Sequence, residues 1–383
     1  MRSIRLNPFA VLLALLHAYI GFRLLAPFGV IAQAAGLFFL ATCLWLLPKG
    51  FRMRETLGPI ATLVPWIAMG FFSWLLVLTV ARDGSLAVAS LEFSADAHDR
   101  WARVSAIGVM ALTPAITLIG YVMARRVARV VRVEIPFMDL HPALEGFTIA
   151  QISDIHVGPT IKRDFVEAIV KRVNRLGADM VAITGDLVDG SVLDLAHHTQ
   201  PLRDLESRHG TYVVTGNHEY YSGAHSWVRE LRRLGAQVLM NEHVVLDHGG
   251  GRVAIAGVTD YSAHHFDPSH RSDPHGAVAG APEDAVKVLL AHQPRSAASA
   301  ENAGYHLQLS GHTHGGQFWP WNLLVRLQQP FTAGLNRLGL MWVYINRGTG
   351  YWGPPMRFGI PSEITLIRFV RTRAIPGTET VAS

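Results

Sequence analysis

Five short motifs between Asp154 and His314 concentrate the residues of this chain that could do metal chemistry. They read Asp154-Ile155-His156, Gly185-Asp186, Gly216-Asn217-His218-Glu219, a single His292, and Gly311-His312-Thr313-His314. Carboxylate, amide and imidazole donors without a thiol suit Mn²⁺, Fe²⁺ or Zn²⁺ and do not describe a structural zinc knot. Taken singly, each motif reads as a turn, a helix cap or a satisfied imidazole. Taken in series, they supply the ligands of a two-metal hydrolytic site, in which paired cations acidify water and neutralise charge on a phosphoryl group.

The elements that must hold these donors are legible around them. Each motif closes a short apolar run: Phe147 to Ile152, Met180 to Thr184, Thr211 to Val214, Val286 to Leu290, and Leu307 to Leu309. Runs of three to six such residues predict buried strands, with the ligands at the carboxyl ends. Arg163 to Leu176 sets Phe165, Ile169, Val170 and Val173 at helical spacing, and His225 to Leu234 and Pro294 to Ala303 predict further helices. Gln237 to Met240, Val244 to Leu246, Val253 to Gly257, Trp342 to Asn346 and Glu363 to Phe369 complete the strands. Alternating strands and helices define an α/β domain with parallel pairing in part of its sheets.

Ahead of that domain the composition changes. Over 383 residues only 16% are charged and half are hydrophobic, with a mean hydropathy of +0.23. A soluble domain carries about 25% charged residues, and the excess apolar content lies in the first 125. Phe9 to Phe22, Gly29 to Leu47, Pro59 to Ala81 and Val104 to Met123 are the apolar segments. Spanning takes about 20 apolar residues; the last three segments meet that, and the first is short and ends at Arg23. A cleaved signal peptide is its alternative, but Gly29 onward is apolar again, so four spans are expected. Arg2 and Arg5, then Lys49, Arg52 and Arg54, then Arg125, Arg126, Arg129 and Arg132 fall on one side if all four segments span. The positive-inside rule then puts both termini and the α/β domain in the cytoplasm of an inner-membrane, multi-pass protein. Omitting the first span breaks that agreement. The division is 1–126 transmembrane, 127–143 linker, 144–370 catalytic domain and 371–383 tail. The one cysteine, Cys43, lies in the second span and excludes an intramolecular disulfide. The net charge of +5 gathers at the membrane edge, which suits anionic headgroups and not nucleic acid.

From about Leu144 to Val370 the motif order resembles that of the calcineurin-like metallophosphoesterases. The run Gly311 to Gln317 and Arg347-Gly348-Thr349-Gly350 are similar to the branch that holds membrane-anchored bacterial phosphohydrolases. The resemblance implies a four-layer α/β/β/α sandwich, here preceded by an all-α transmembrane region. It implies two divalent ions (Mn, Fe or Zn): one held by Asp154, His156, Asp186 and His314, the other by Asp186, Asn217, His292 and His312. Asp186 bridges them in that arrangement, and a metal-bridging hydroxide attacks a phosphoester or pyrophosphate. His218 is implied as the group over the site that protonates the leaving oxygen, with Asp154 beside it in the catalytic set. Asp189 and Glu219 are candidates to orient ligands. The purple acid phosphatase branch places a tyrosine three residues after the bridging aspartate; Asp189 stands there instead, which disfavours an iron–tyrosinate centre.

Arg347, His264 and His265 are candidates for substrate contact. The Trp-, Phe- and Leu-rich segment 318–340 reads either as ordinary core and connection or as an apolar lid resting on a bilayer. The expected partners are the lipid bilayer and a phosphorylated small-molecule or lipid-linked substrate. Two rivals stand beside the hydrolase: a membrane sensor or scaffold that binds metal without turnover, and a transport module carrying a regulatory phosphoesterase. His17 and Arg23, the ionisable residues near a span, are thin support for the latter.

Overall fold

The computed structural model describes residues 8–49 and 59–372. Arg2, Arg5, Arg52, Arg54 and most of the tail, from 373, lie outside them. The chain divides into a helical unit, residues 1–125 with 353–358, and an α/β unit formed by the remainder.

The helical unit contains α1 (Pro8–Leu25), α2 (Val30–Leu46), α3 (Pro59–Glu92) and α4 (Ala95–Arg125). The first, third and fourth are long and apolar enough to cross a membrane; α2, with 17 residues, is shorter. At ~1.5 Å per residue α3 and α4 outrun a ~30 Å hydrocarbon core, so both extend beyond the apolar stretches read from sequence. Aliphatic and aromatic side chains hold the bundle together, among them Ile20, Leu24, Leu40, Phe72 and Leu75. His17 stacks on Phe72 at 4.3 Å, and its Nδ1 lies 2.7 Å from the Leu13 carbonyl. Arg23 pairs with Asp83 at 2.7 Å, while the buried Arg82 donates to the Arg23 and Ala102 carbonyls and to Ser105. These ionisable groups are therefore consumed in ties between helices, as buried charge requires.

The α/β unit is built on two six-stranded sheets. The first contains β1 (Arg129–Met138), β2 (Thr148–Ile152), β3 (Met180–Ile183), β4 (Thr211–Val213) and β5 (Gln237–Val238), joined by the last strand, β12 (Glu363–Thr372). Their order is β1-β12-β2-β3-β4-β5. The second contains β6 (Glu242–His248), β7 (Gly251–Gly257), β8 (Val286–Leu290), β9 (Leu307–Ser310), β10 (Gly334–Leu338) and β11 (Met341–Ile345), in the order β10-β11-β9-β8-β7-β6. β2 to β5 are mutually parallel, as are β7, β8, β9 and β11.

The period of two decides which residues meet between the sheets. Met180 and Ala182 of β3, Val288 and Leu290 of β8, and Leu307 and Leu309 of β9 share one core with Tyr344, Ile367 and Phe369. On the far side of the second sheet, Leu289, Ala291, Val343 and Ile345 pack against α9 (Pro274–Val278) and α10 (Ala297–Asn302) through Ala277, Ala297 and Ala300. The other helical layer comprises α5 (Arg163–Asn174), α6 (Val192–Thr199) and α8 (Ala224–Arg233). In α5, Phe165, Val166, Ile169, Val170 and Val173 form one buried face; each contributes about 1.5–3 kcal/mol on full burial. The result is the four-layer α/β/β/α sandwich.

One local expectation differs. The segment 127–143, read as a linker, carries β1, which runs parallel to β12 from Arg129↔Glu363 to Met138↔Thr372. The basic residues Arg129 and Arg132 thus lie on a strand: Val130, Val131 and Val133 are β-branched and favour pleated backbone. Within 318–340 the chain forms a four-residue helix, α11 (Asn322–Val325), and then β10.

Candidate metal centre

All five motifs emerge where strands end. Asp154 and His156 follow β2, Asp186 follows β3, and Asn217 opens α7 (Asn217–Tyr221) after β4; His292 follows β8, and His312 and His314 follow β9. The first three strands belong to one sheet and the last two to the other, so the donors converge from both. Asp154, His156, Asp186, His312 and His314 all have φ between 50° and 69°. Left-handed backbone at non-glycine residues carries strain that persists only where the surroundings enforce it.

Cross-links between loops do the enforcing. The His312 amide donates to the Asp154 carboxylate at 3.0 Å, and the His218 amide donates to Asp186 Oδ1 at 2.9 Å. Glu219, buried, accepts from the amides of Asp186, Leu187 and Gly216 at 3.0, 2.7 and 2.6 Å, which fixes the bend after β3 to α7. Burial, and then the Asp186 charge, push the Glu219 carboxyl up to about 7. A side chain at Gly216 has no room, because its Cβ would overlap Asp186 Oδ1.

The donor atoms form two groups, Asp154–His156–His314 and Asp186–His292–His312. His156 Nε2 lies 3.1 Å from His314 Nε2, which is 3.4 Å from Asp154 Oδ1. His292 Nε2 lies 3.1 Å from Asp186 Oδ2 and 3.2 Å from His312 Nδ1. Asp186 Oδ2 is also 3.9 Å from His156 Nε2, placing that carboxylate between the groups. The outer ring nitrogens settle which atoms face inward. His292 Nδ1 is 2.8 Å from the Thr184 carbonyl, and His156 Nδ1 is 2.8 Å from Asp189 Oδ1. Held by these outer partners at Nδ1, both rings turn Nε2 toward the centre.

These residues fit a pair of divalent cations. Imidazole nitrogens 3.1–3.2 Å apart match the ~3.0–3.4 Å edge of a polyhedron with ~2.0–2.1 Å metal–nitrogen bonds. Asn217 Oδ1 is buried with no hydrogen-bond partner and belongs to the same cavity, so a neutral oxygen donor is left over for a cation. Charge follows the same design. Burial raises Asp186, but the neighbouring His292 outweighs it and holds the carboxyl well below its usual range. Burial and then the His292 charge lower His312 to about 3, keeping its ring neutral.

His218 stands beside the centre, its Nδ1 2.7 Å from Asp189 Oδ1 and its Nε2 3.9 Å from Asp186 Oδ2. Burial alone lowers this imidazole, yet the Asp189 hydrogen bond and the Asp186 charge prevail and raise it to about 9. Asp189 responds in kind: burial opposes ionisation, but His156 and His218 bring it down to about 2. One carboxylate thus orients both the His156 and the His218 imidazoles.

The cavity over the centre has a volume of about 260 Å³ and is lined by His156, Asp186, Asn217, His218, Tyr221, His312, His314 and Trp352. Tyr221 and Trp352 meet the His218 ring edge-on at 5.2 and 5.8 Å. Neither was expected from sequence. Tyr221 lies one helical turn beyond His218, a spacing that could have exposed it; Trp352 is brought in by Gln317, which exchanges two 2.8 Å hydrogen bonds with its backbone, and no motif marks it. Arg347 ion-pairs with the buried Glu363 at 2.6 Å and is not among the lining residues. His264 and His265 lie against one another with rings tilted at 4.0 Å in a short turn, also apart from that lining.

The calcineurin-like phosphoesterase family matches residues 147–316, a span that ends just past His314. A transmembrane protein with metallophosphoesterase domain from Danio rerio is 36% identical over 76% of this chain and 66% of its own length. An uncharacterized metallophosphoesterase from Helicobacter pylori is 42% identical over 58% of this chain and 59% of its own. One from Aquifex aeolicus is 32% identical over 57% of this chain and 83% of its own. The chain therefore spans about three-fifths to two-thirds of the first two relatives. It belongs to the calcineurin-like metallophosphoesterase family.

Proposed function

We propose that this protein is a membrane-anchored, metal-dependent phosphohydrolase that cleaves a phosphoester or pyrophosphate bond. The carrying observation is the pair of donor groups with the Asp186 carboxylate between them, beneath a cavity walled by His218. Asp154, His156, Asp186 and His314 would hold one cation, and Asp186, Asn217, His292 and His312 the other. Bound there, the two cations supply the Lewis acidity that activates water and offsets charge on the phosphoryl oxygens. His218, kept protonated by Asp189, donates a proton to the leaving oxygen as the phosphorus–oxygen bond breaks. Its edge-on contacts with Tyr221 and Trp352 restrict the ring to one orientation.

The substrate is a phosphorylated small molecule or a lipid-linked phosphate. The apolar helices favour the second by holding the site near a membrane, and Trp319, Leu323, Leu324 and Leu327 add exposed apolar surface just beyond the last metal ligand. Arg347 and His264–His265 remain candidates for contact with an extended substrate. The basic residues beside the apolar segments favour a multi-pass arrangement in the cell membrane with this domain cytoplasmic. The test is hydrolysis of monoester, diester and pyrophosphate probes in ¹⁸O-water by the full chain in detergent. Incorporation of one ¹⁸O into the released phosphate supports direct attack by water; metal binding without label in any product favours the sensor.

A further inference from the structure

A second set of metal-ligand side chains lies away from the catalytic cavity, where the first turn of α8 faces the loop after β7. His225 Nε2 is 3.1 Å from Asp267 Oδ2, and His270 Nε2 is 3.9 Å from the same oxygen. The two imidazole rings are 4.9 Å apart at 59°, so their nitrogens approach Asp267 from different sides and do not stack. The three inward atoms lie within 4.8 Å of one another.

Neighbouring groups hold two of the three donors in place. Asp267 Oδ1 accepts from the Ser269 amide at 2.9 Å and the Ser269 hydroxyl at 2.6 Å, which turns Oδ2 toward the histidines. His270 Nδ1 is 2.9 Å from the Tyr220 hydroxyl, leaving Nε2 to face Asp267. A ring nitrogen held by an outer partner while its mate faces inward is the arrangement found around metal-ligating histidines. His270 and Asp267 are partly buried (side chains 16% and 29% exposed), whereas His225 is 65% exposed. A simple ion pair needs one histidine; two imidazoles on one carboxylate oxygen are better matched by a cation.

We propose that His225, Asp267 and His270 form a third metal site that takes Zn²⁺. Two imidazoles and one carboxylate are a donor set zinc favours, with a fourth position left to solvent. The ion fastens the loop 267–270 to α8 and, through Tyr220, to the helix that carries Asn217 and His218. Phe266 on that loop packs edge-on against Tyr221 at 5.5 Å, so occupancy also steadies one wall of the catalytic cavity.

The test is zinc counting after equilibrium dialysis of the full-length chain in detergent, comparing wild type with His225→Ala and Asp267→Asn. Both substitutions fall outside the catalytic groups, and circular dichroism confirms that each variant is folded. The expected result is one zinc fewer per chain in both variants. Equal zinc counts in wild type and in either folded variant would overturn the proposal. The difference of one is independent of how many ions the catalytic centre binds, so this result and failure of the hydrolase assignment are separable.

Discussion

Replacing Asp189 by asparagine isolates what one carboxylate does for two histidines. The amide oxygen can still accept from His156 Nδ1 and His218 Nδ1, now 2.8 and 2.7 Å from Asp189, so shape and tautomers survive while the charge is lost. The His218 ring rises from 6.5 to about 9, which at ~1.4 kcal/mol per unit is roughly 3 kcal/mol of preference for the charged form. Asp186 and Glu219 stay and continue to favour the charge, so about half of that preference, ~1–2 kcal/mol, should leave with Asp189. As a general acid His218 acts while protonated, and activity declines as pH rises through its pKa. The alkaline limb of the kcat profile should therefore move about one unit toward neutrality. Freed from a charged partner, His156 should also bind metal less firmly, with a ~10–100-fold loss in affinity or turnover. Steady-state kinetics from pH 6 to 10 at saturating Mn²⁺ is the assay. An alkaline limb unmoved in a folded, metal-loaded Asp189→Asn variant would refute the proton-donor role of His218.

Three further outcomes follow from the same geometry. Gly216→Ala forces a Cβ onto Asp186 Oδ1 and should abolish metal retention with little change in helical content, measured by bound-metal analysis and circular dichroism. In metal-free protein, His218 stabilises the fold because its folded pKa is raised. That stability is fully present below pH 6.5 and lost as pH climbs to about 9, so His218→Asn should flatten the thermal-stability profile across that window. Trp352→Ala, which removes an edge-on partner of His218 at the cavity wall, should raise KM for aryl phosphodiesters about 2–10-fold, the equivalent of a ~0.5–1.5 kcal/mol aromatic contact.

Much of this centre was legible in the chain because strand-end motifs announce themselves locally. Apolar runs of three to six residues located β2, β3, β8 and β9 to within a residue or two, and the donors after them meet where the sheets converge. The role of Asp189 was visible as a position but not as a double acceptor, since it depends on how the β3 and β4 loops pack. Trp352 could not be foreseen: nothing near Gly350 points to a hydrogen-bond exchange with Gln317, 35 residues earlier. β1 was misjudged as linker because its basic residues masked an alternating strand whose partner, β12, is more than 220 residues away. The apolar segments were correctly located, but their helices run further, α3 to Glu92 and α4 from Ala95, because helical propensity continues past the point where hydropathy falls.

The central claim is that Asp186 joins two cations into one hydrolytic centre. Its most direct test is a metal titration of the stripped full-length protein, with bis-aryl phosphodiester turnover and bound metal read together, for wild type and Asp186→Asn. Wild type should gain activity in step with two equivalents of Mn²⁺ or Zn²⁺, and Asp186→Asn should lose more than ~100-fold in turnover while binding less metal. Full turnover at one equivalent, or an Asp186→Asn variant as active as wild type, would contradict it.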